Sequence, residues 1–288
     1  LTVAVASFLH ARQASGQWLV RIEDIDPPRE IPGASDQILL ALEAFDLHWD
    51  GKPFFQSAYL GDYRQMASDL VEVGLAYHCS CSRRVVRKRS KSSPLGYRYP
   101  GTCRRRSKHA RETAIRVLSD NARGSFTDGL QGEYHYDIPA SLGDYVVFRN
   151  DDLPAYHLAV VVDDARQGIT HVVRGVDLFE LTGLQIHLQG LLGLPTPSYL
   201  HAPVIVNSSG QKLSKRTGAT AVDATRASAT ACEVLGYLGL KPPDSMRTAR
   251  PADLWDWALE RWRIEHLREK KSTFCQSIHV GQDKNDLK

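Results

Sequence analysis

The sequence predicts an α/β fold carrying a small inserted unit. Helical and extended apolar patterns alternate at the spacing of strands with crossover helices over the first part of the chain, and again from Asp144 to Leu192. Between these parts, from Cys79 to about Arg111, the alternation stops, and basic residues, serines, Pro94, Gly96, Pro100 and Gly101 crowd together. With 288 residues, 42% hydrophobic and 24% charged, the chain suits a soluble protein of one large or two modest domains with a real core.

Residues 1–15 read as a helix. Leu1 to Leu9 has the apolarity of a signal peptide, but it lacks a basic leader and runs on into His10-Ala-Arg12 in helical style. Gln17 to Ile22 reads as a strand ending in the acidic cluster Glu23, Asp24 and Asp26, where Pro27 and Pro28 force the chain out of the sheet. From Ser35 to Phe45 the residues Ile38, Leu39, Leu42 and Phe45 fall at helical spacing, with Ser35 or Asp36 available as cap. Another helix follows from Tyr63 to Val73 and stops at Gly74. Asp144–Arg149 and Thr170–Arg174 read as strands, Tyr156–Val162 fits either a strand or a helix, and Leu181–Leu192 is a helix. Beyond Val222 the pattern is mainly helical. The expected division is a first half of the catalytic fold over 1–78, a basic insertion and return segment over 79–140, a second half over 141–221, and a helical region over 222–288.

The formal charge is only +3, yet twelve Lys or Arg and no acidic residue lie between Arg83 and Arg111. Such a patch suits a polyanion partner or, read blandly, a solvated loop. No apolar run of about eighteen residues exists to span a membrane. Five cysteines are an odd number, and the spacing of Cys79, Cys81 and Cys103 suits a metal better than disulfides, which favours the cytoplasm. Three thiolates are one short of a closed tetrahedral zinc site, with His78, His109, Tyr97, Tyr99 and water open as the fourth ligand.

The stretch GQKLSKRTG, residues 210–218, sets Lys212, Lys215 and Arg216 around Ser214 between two glycines. These groups suit phosphate oxygens, although alone the stretch is better read as a plain basic loop. Arg174 alone reads as a strand-end ion pair with Asp177, Glu23 as part of an acidic turn or a magnesium site, and Tyr156 as core packing.

Taken together, LVRIEDIDPPRE, Cys79 to Cys81, Tyr99 to Cys103, AYHLAVVVDD, GITHVVRG and QKLSKR occur in an order that resembles the catalytic domain of the glutamate branch of class I aminoacyl-tRNA synthetases. The resemblance runs from Leu1 to about residue 220 and implies a Rossmann-type domain that activates L-glutamate with ATP, with Mg2+, and passes it to tRNA. The short stretch after Arg216 points to the members without an anticodon-binding domain, which esterify queuosine in the anticodon of tRNA(Asp); a fragment of a synthetase that charges tRNA(Glu), or a non-catalytic tRNA-binding paralogue, are the alternatives. Carried over by position, Glu23 would bind the substrate ammonium, Tyr156 and Arg174 the rest of the amino acid, and Lys212 and Lys215 the ATP, with Lys215 acting on the departing pyrophosphate. Cys79, Cys81, Tyr99 and Cys103 would hold Zn2+, and a monomer is expected. Family members open with a strand and a glycine- and histidine-containing loop ahead of the helix in which Leu1 falls. The chain as written is therefore expected to lack the N-terminal ATP-binding loop, to keep the other half of the nucleotide site at Lys215, and to be inactive and poorly stable.

Overall fold

A computed structural model describes residues 1–105, 113–213 and 223–274. The chain opens with helix α1 (Thr2–Gln13), from which Val5, Phe8 and Leu9 point into the core. An extended run follows in which Trp18, Val20 and Ile22 are buried alternately, as a one-sided strand requires. Only its end, β1 (Arg21–Ile22), is paired, in parallel with β2 (Phe54–Phe55), so the strand expected from Gln17 is shorter as a hydrogen-bonded element.

Between them lies α2 (Ala34–Ala44). Its cap position is Gly33, in the left-handed conformation at φ 76°, and neither Ser35 nor Asp36 caps it. Leu39 and Leu42 pack against the core, but Ile38 and Leu40 are 51% and 62% exposed, because each stands about 100° round the helix from its neighbour Leu39.

Helix α3 (Leu60–Glu72) leads through Gly74 into β3 (Ala76–Cys79). The basic stretch then forms a short helix α4 (Arg83–Arg89), capped by the Ser82 hydroxyl, and a small hairpin of β4 (Ser92–Ser93) and β5 (Gly96–Tyr97). The chain returns through β6 (Ala114–Val117), the hairpin β7 (Arg123–Asp128) and β8 (Gly132–Asp137), the single turn α5 (Ile138–Ser141) and β9 (Tyr145–Phe148). Strands β3, β6 and β9 form an antiparallel sheet.

The ambiguous segment is a helix, α6 (Tyr156–Arg166), buried continuously from Leu158 to Asp164. A helix enclosed on all sides shows no polar face, so its period is hidden in the sequence. Next come β10 (His171–Gly175), α7 (Thr182–Leu192) and β11 (Ser198–Ala202), with β10 and β11 parallel and Arg174 in register with His201. Then β12 (Val204–Val206), α8 (Ala227–Tyr237), α9 (Pro251–Arg261) and β13 (Ser272–Phe274) follow, β13 pairing with β12.

Among the described residues two large apolar cores form, beside a very small one in the insertion. One joins α1 to Phe45, Leu47, Leu200 and the inner faces of α8 and α9, so the C-terminal helices share a core with the N-terminal one. The other is built from Tyr63, Leu70, Val117, Val147, Leu158 and Leu188 on α3, β6, β9, α6 and α7.

Candidate active site

A cleft of about 690 Å³ opens between the extended run before Glu23 and the segment from α6 to β10. Glu23, Tyr156 and Arg174, which lie far apart in the sequence, all line it. Tyr156 begins α6, and Arg174 sits near the C-terminal end of β10, so two rigid elements present them. Arg21 and Asp164 share the wall, their ion pair 2.8 Å long, and Arg21 Nη1 also donates to Gln167 Oε1 at 2.9 Å. The Glu23 carboxylate stands 3.7 Å from Arg21 Nε. Desolvation by the cleft walls raises the Glu23 carboxyl above the usual carboxylate range against the pull of Arg21, with Asp164 adding repulsion. Burial likewise raises the Tyr156 phenol. The site is acidic at Glu23 and cationic at Arg174, a polarity suited to a zwitterion.

Asp24 and Asp26 are committed elsewhere. Asp24 accepts from the Ser57 amide and hydroxyl at 2.9 and 2.6 Å, and Asp26 pairs with Arg29 and Arg149. The ion pair between Arg174 and Asp177 is absent too, because Asp177 is bonded to Lys212 Nζ at 2.6 Å. A tight turn at Asn207–Gly210 brings Lys212 back beside β12, with the Leu213 amide donating to the Ile205 carbonyl at 2.8 Å. Lys215, with Ser214 and Arg216, lies outside the described residues.

Arg174 itself is buried, and its partners carry no local signal in the sequence. Its Nε donates to His201 Nε2 at 2.9 Å and its Nη2 to Thr182 Oγ1 at 2.8 Å. Asp128, Thr182 and His201 were unmarked in the sequence, since nothing in local spacing connects three strands and a helix. The DD of AYHLAVVVDD was visible as part of a motif, yet its two members part company: Asp163 holds Gln56 and Tyr63 in the core, while Asp164 faces the cleft.

The second cluster lies on the insertion. The sulfurs of Cys79, Cys81 and Cys103 all fall within 4.8 Å of one another, and those of Cys81 and Cys103 are 3.6 Å apart. Tyr99 Oη is 3.3 Å from Cys79 Sγ and 3.7 Å from Cys81 Sγ. Thiolates at about 2.3 Å from a tetrahedral zinc stand about 3.8 Å apart, so the donor set fits such an ion in both chemistry and size. Burial opposes ionisation of Cys103, but hydrogen bonds from Tyr99 and the Ser80 backbone bring its thiol down to about 7. The other ring candidates point away: His78 Nδ1 is 2.9 Å from Thr113 Oγ1, and Tyr97 is exposed beneath Arg87. His109 lies outside the described residues.

The fold and the cleft define a catalytic domain of the aminoacyl-tRNA synthetase kind. The model of tRNA synthetases class I (E and Q), catalytic domain, matches residues 1–233, and the chain belongs to that family. Among curated relatives, the glutamyl-Q tRNA(Asp) synthetase of Aromatoleum aromaticum is 45% identical over 264 residues, covering 92% of this chain and 84% of that protein. The protein of the same name from Thiobacillus denitrificans is 46% identical over 268 residues, 93% of this chain and 89% of its own. A solved glutamate-tRNA synthetase from Elizabethkingia anophelis matches in fold with a TM-score of 0.77 at 22% identity, covering 96% of this chain and 64% of that one. Among the described residues no helix is long and apolar enough to cross a membrane.

Proposed function

We propose that this chain activates glutamate with ATP and transfers it to queuosine in the anticodon of tRNA(Asp). The observation that carries this reading is the agreement of curated relatives of that name over more than nine-tenths of the chain, joined to a cleft that gathers Glu23, Tyr156 and Arg174. In the first step the α-carboxylate of glutamate attacks the α-phosphorus of ATP and pyrophosphate leaves. In the second a hydroxyl of queuosine takes the glutamyl group and AMP leaves.

Glu23 binds the ammonium, and a cation there offsets the desolvation and repulsion that raise its carboxyl. Arg174 binds the side-chain carboxylate through charge-assisted hydrogen bonds, and glutamine is disfavoured because its amide offers donors to a group that has only donors. Tyr156 packs against the substrate chain. Lys212, held by Asp177, contributes positive charge at the phosphates, and Lys215 stabilises the charge that builds on the departing pyrophosphate. On the insertion, Cys79, Cys81, Cys103 and Tyr99 hold zinc, which orders a segment with a very small core of its own. The cations of α4 then lie along the tRNA backbone as phosphate contacts.

The test is glutamate- and ATP-dependent esterification of tRNA(Asp) carrying queuosine, alongside the same tRNA without it and tRNA(Glu), using the full-length natural protein. Product confined to the modified tRNA(Asp) is expected. Equal product on unmodified tRNA overturns the choice of acceptor, and absence of glutamate-dependent pyrophosphate release overturns the enzyme reading.

A further inference from the structure

Arg174 meets the cleft on a fixed mounting. Behind it, His201 is fully buried and its Nδ1 lies 2.6 Å from Asp128 Oδ2. The other oxygen, Asp128 Oδ1, accepts from the backbone amides of Leu130, Gln131 and His201 at 2.9, 2.9 and 3.2 Å. These partners decide the tautomer. A guanidinium has donors and no acceptor, so His201 Nε2 must be the acceptor of the Arg174 Nε–H bond. The single ring proton is then on Nδ1, where it points at the Asp128 carboxylate. Thr182 Oγ1, 3.3 Å from His201 Nε2, holds the neighbouring Nη2 on the same edge of the guanidinium, and Tyr199 lies under it with its ring centre 5.2 Å away. Nε and Nη2 are thus engaged, while Nη1 makes no hydrogen bond among the described residues.

We propose that Asp128 and His201 are positioning residues of the amino-acid site: Asp128 sets the His201 tautomer, His201 sets the rotation of the Arg174 guanidinium, and Nη1 is left aimed at the ligand carboxylate. This rests on the reading of Arg174 as the group that binds glutamate. The arrangement draws on β7, β10, β11 and α7, with Arg174 and His201 side by side in the parallel pair. Gly129 lets the β7–β8 turn reach β11: its amide donates to the Tyr199 carbonyl at 2.9 Å, and a Cβ there would stand 3.1 Å from Leu200 Cδ2. Burial holds the His201 ring below its ordinary pKa although Asp128 pulls upward, and the Arg174 charge acts with burial. The neutral ring that the hydrogen bonds require is therefore the form at neutral pH.

An isosteric change separates positioning from mere packing. In Asp128→Asn the carbonyl oxygen stays with the three backbone amides, and the amide nitrogen then faces His201 Nδ1 as a donor. The ring proton is driven to Nε2, where it opposes the Arg174 Nε–H. Long-range 1H–15N spectra should show the Nδ1–H tautomer of His201 in the natural protein and the Nε2–H tautomer in the variant. In glutamate-dependent ATP–pyrophosphate exchange, KM for glutamate should rise about tenfold to a hundredfold with KM for ATP nearly unchanged. His201→Leu should reproduce the effect, and His201→Gln, which keeps an acceptor near the Nε2 position, should recover part of it.

An Nε2–H tautomer in the natural protein overturns the proposal. So does an unchanged KM for glutamate in folded Asp128→Asn and His201→Leu while Arg174→Ala abolishes glutamate use. An unchanged KM in Arg174→Ala overturns the underlying reading and the proposal with it, even if the tautomer is as expected. Should Asp128→Asn fail to fold, the contrast between His201→Leu and His201→Gln decides: equal KM values for glutamate in the two overturn it.

Discussion

At the scale of single residues, Gly175 is a test of the link between the proposed amino-acid site at Arg174 and the proposed phosphate group Lys212. A Cβ at this position would lie 2.4 Å from Asp177 Oδ1 and 3.4 Å from Val204 Cγ1, so alanine there must turn the Asp177 carboxylate away. That carboxylate holds Lys212, and the pair is half-exposed, so its loss changes stability little. Gly175→Ala is expected to slow glutamate activation about tenfold, the size of one weakened charge-assisted hydrogen bond in the transition state. The melting temperature should stay within ~2 °C. Exchange kinetics and a thermal melt on the same sample check this, and an unchanged rate removes Asp177 and Lys212 from the proposed phosphate site. Residues of this kind divide sharply in how legible they are. Glu23, Tyr156 and Arg174 stand out only because separate motifs carry them together, and the cleft does gather all three. Asp128 and His201 carry no local signal at all, since their meaning exists only once β7 and β11 have been brought beside β10.

At the scale of elements, the insertion carries its own chemistry on a very small core, Val86 with Tyr99, Cys79 and Cys103. Arg116 on β6 reaches into it: Nε donates to Cys79 Sγ at 3.3 Å, the guanidinium lies 3.9 Å from the Tyr99 ring centre, and Nη1 donates to the Asp144 carbonyl at 2.7 Å. Around the proposed zinc, three thiolates and a phenolate would leave an excess of negative charge, which the fixed guanidinium would offset while orienting Cys79 and Tyr99. Arg116→Ala should lower zinc affinity about tenfold to a hundredfold, the usual range for losing a partner of a metal ligand. Chelator competition on the zinc-loaded protein measures it, and equal affinity in the variant would deny Arg116 that role. The cysteine spacing signals the cluster, whereas Arg116, in the return segment, carries no signal of its own. Other elements were legible in proportion to their contrast. Helix α3 shows a polar and an apolar face, and its existence and type were plain. Helix α6 has no such contrast and admits two readings, and in α2 the helical spacing of Ile38, Leu39 and Leu42 does not show that Ile38 faces solvent.

At the scale of the whole molecule, the stability of this chain depends on joints between parts distant in sequence. One is the apolar core shared by α1, α8 and α9, pinned by two hydrogen bonds: Trp255 of α9 donates to the Phe45 carbonyl at 2.7 Å, and Gln13 of α1 to the Trp262 carbonyl at 2.7 Å. The other is ionic. Asp144, 1% exposed, accepts both Arg104 Nε and Nη2 at 2.5 Å, Tyr77 Oη at 2.5 Å and the Ser119 amide at 3.0 Å, so one carboxylate fastens the insertion to the β3–β6–β9 sheet. Burial by itself would raise the Asp144 carboxyl, but Arg104, Tyr77 and the Ser119 amide together hold it below the usual carboxylate range. The sign of the linkage follows from that direction. A carboxylate with a lower pKa in the folded than in the unfolded chain contributes fully above the unfolded value, about 4, and the contribution fades as pH falls through the folded value. Asp144→Asn removes this term and leaves every other titrating group in place, so the difference between the two proteins isolates it. Urea unfolding at pH 7 should show the variant less stable by about 1–3 kcal/mol, the cost of weakening charge-assisted hydrogen bonds at the buried Asp144 while the exposed Arg104 keeps its pair with Asp120. Below pH 4 the gap should narrow steadily, because the natural protein then loses what the variant never had. A gap that stays constant down to pH 3 would mean that Asp144 holds the joint by shape and neutral hydrogen bonding alone.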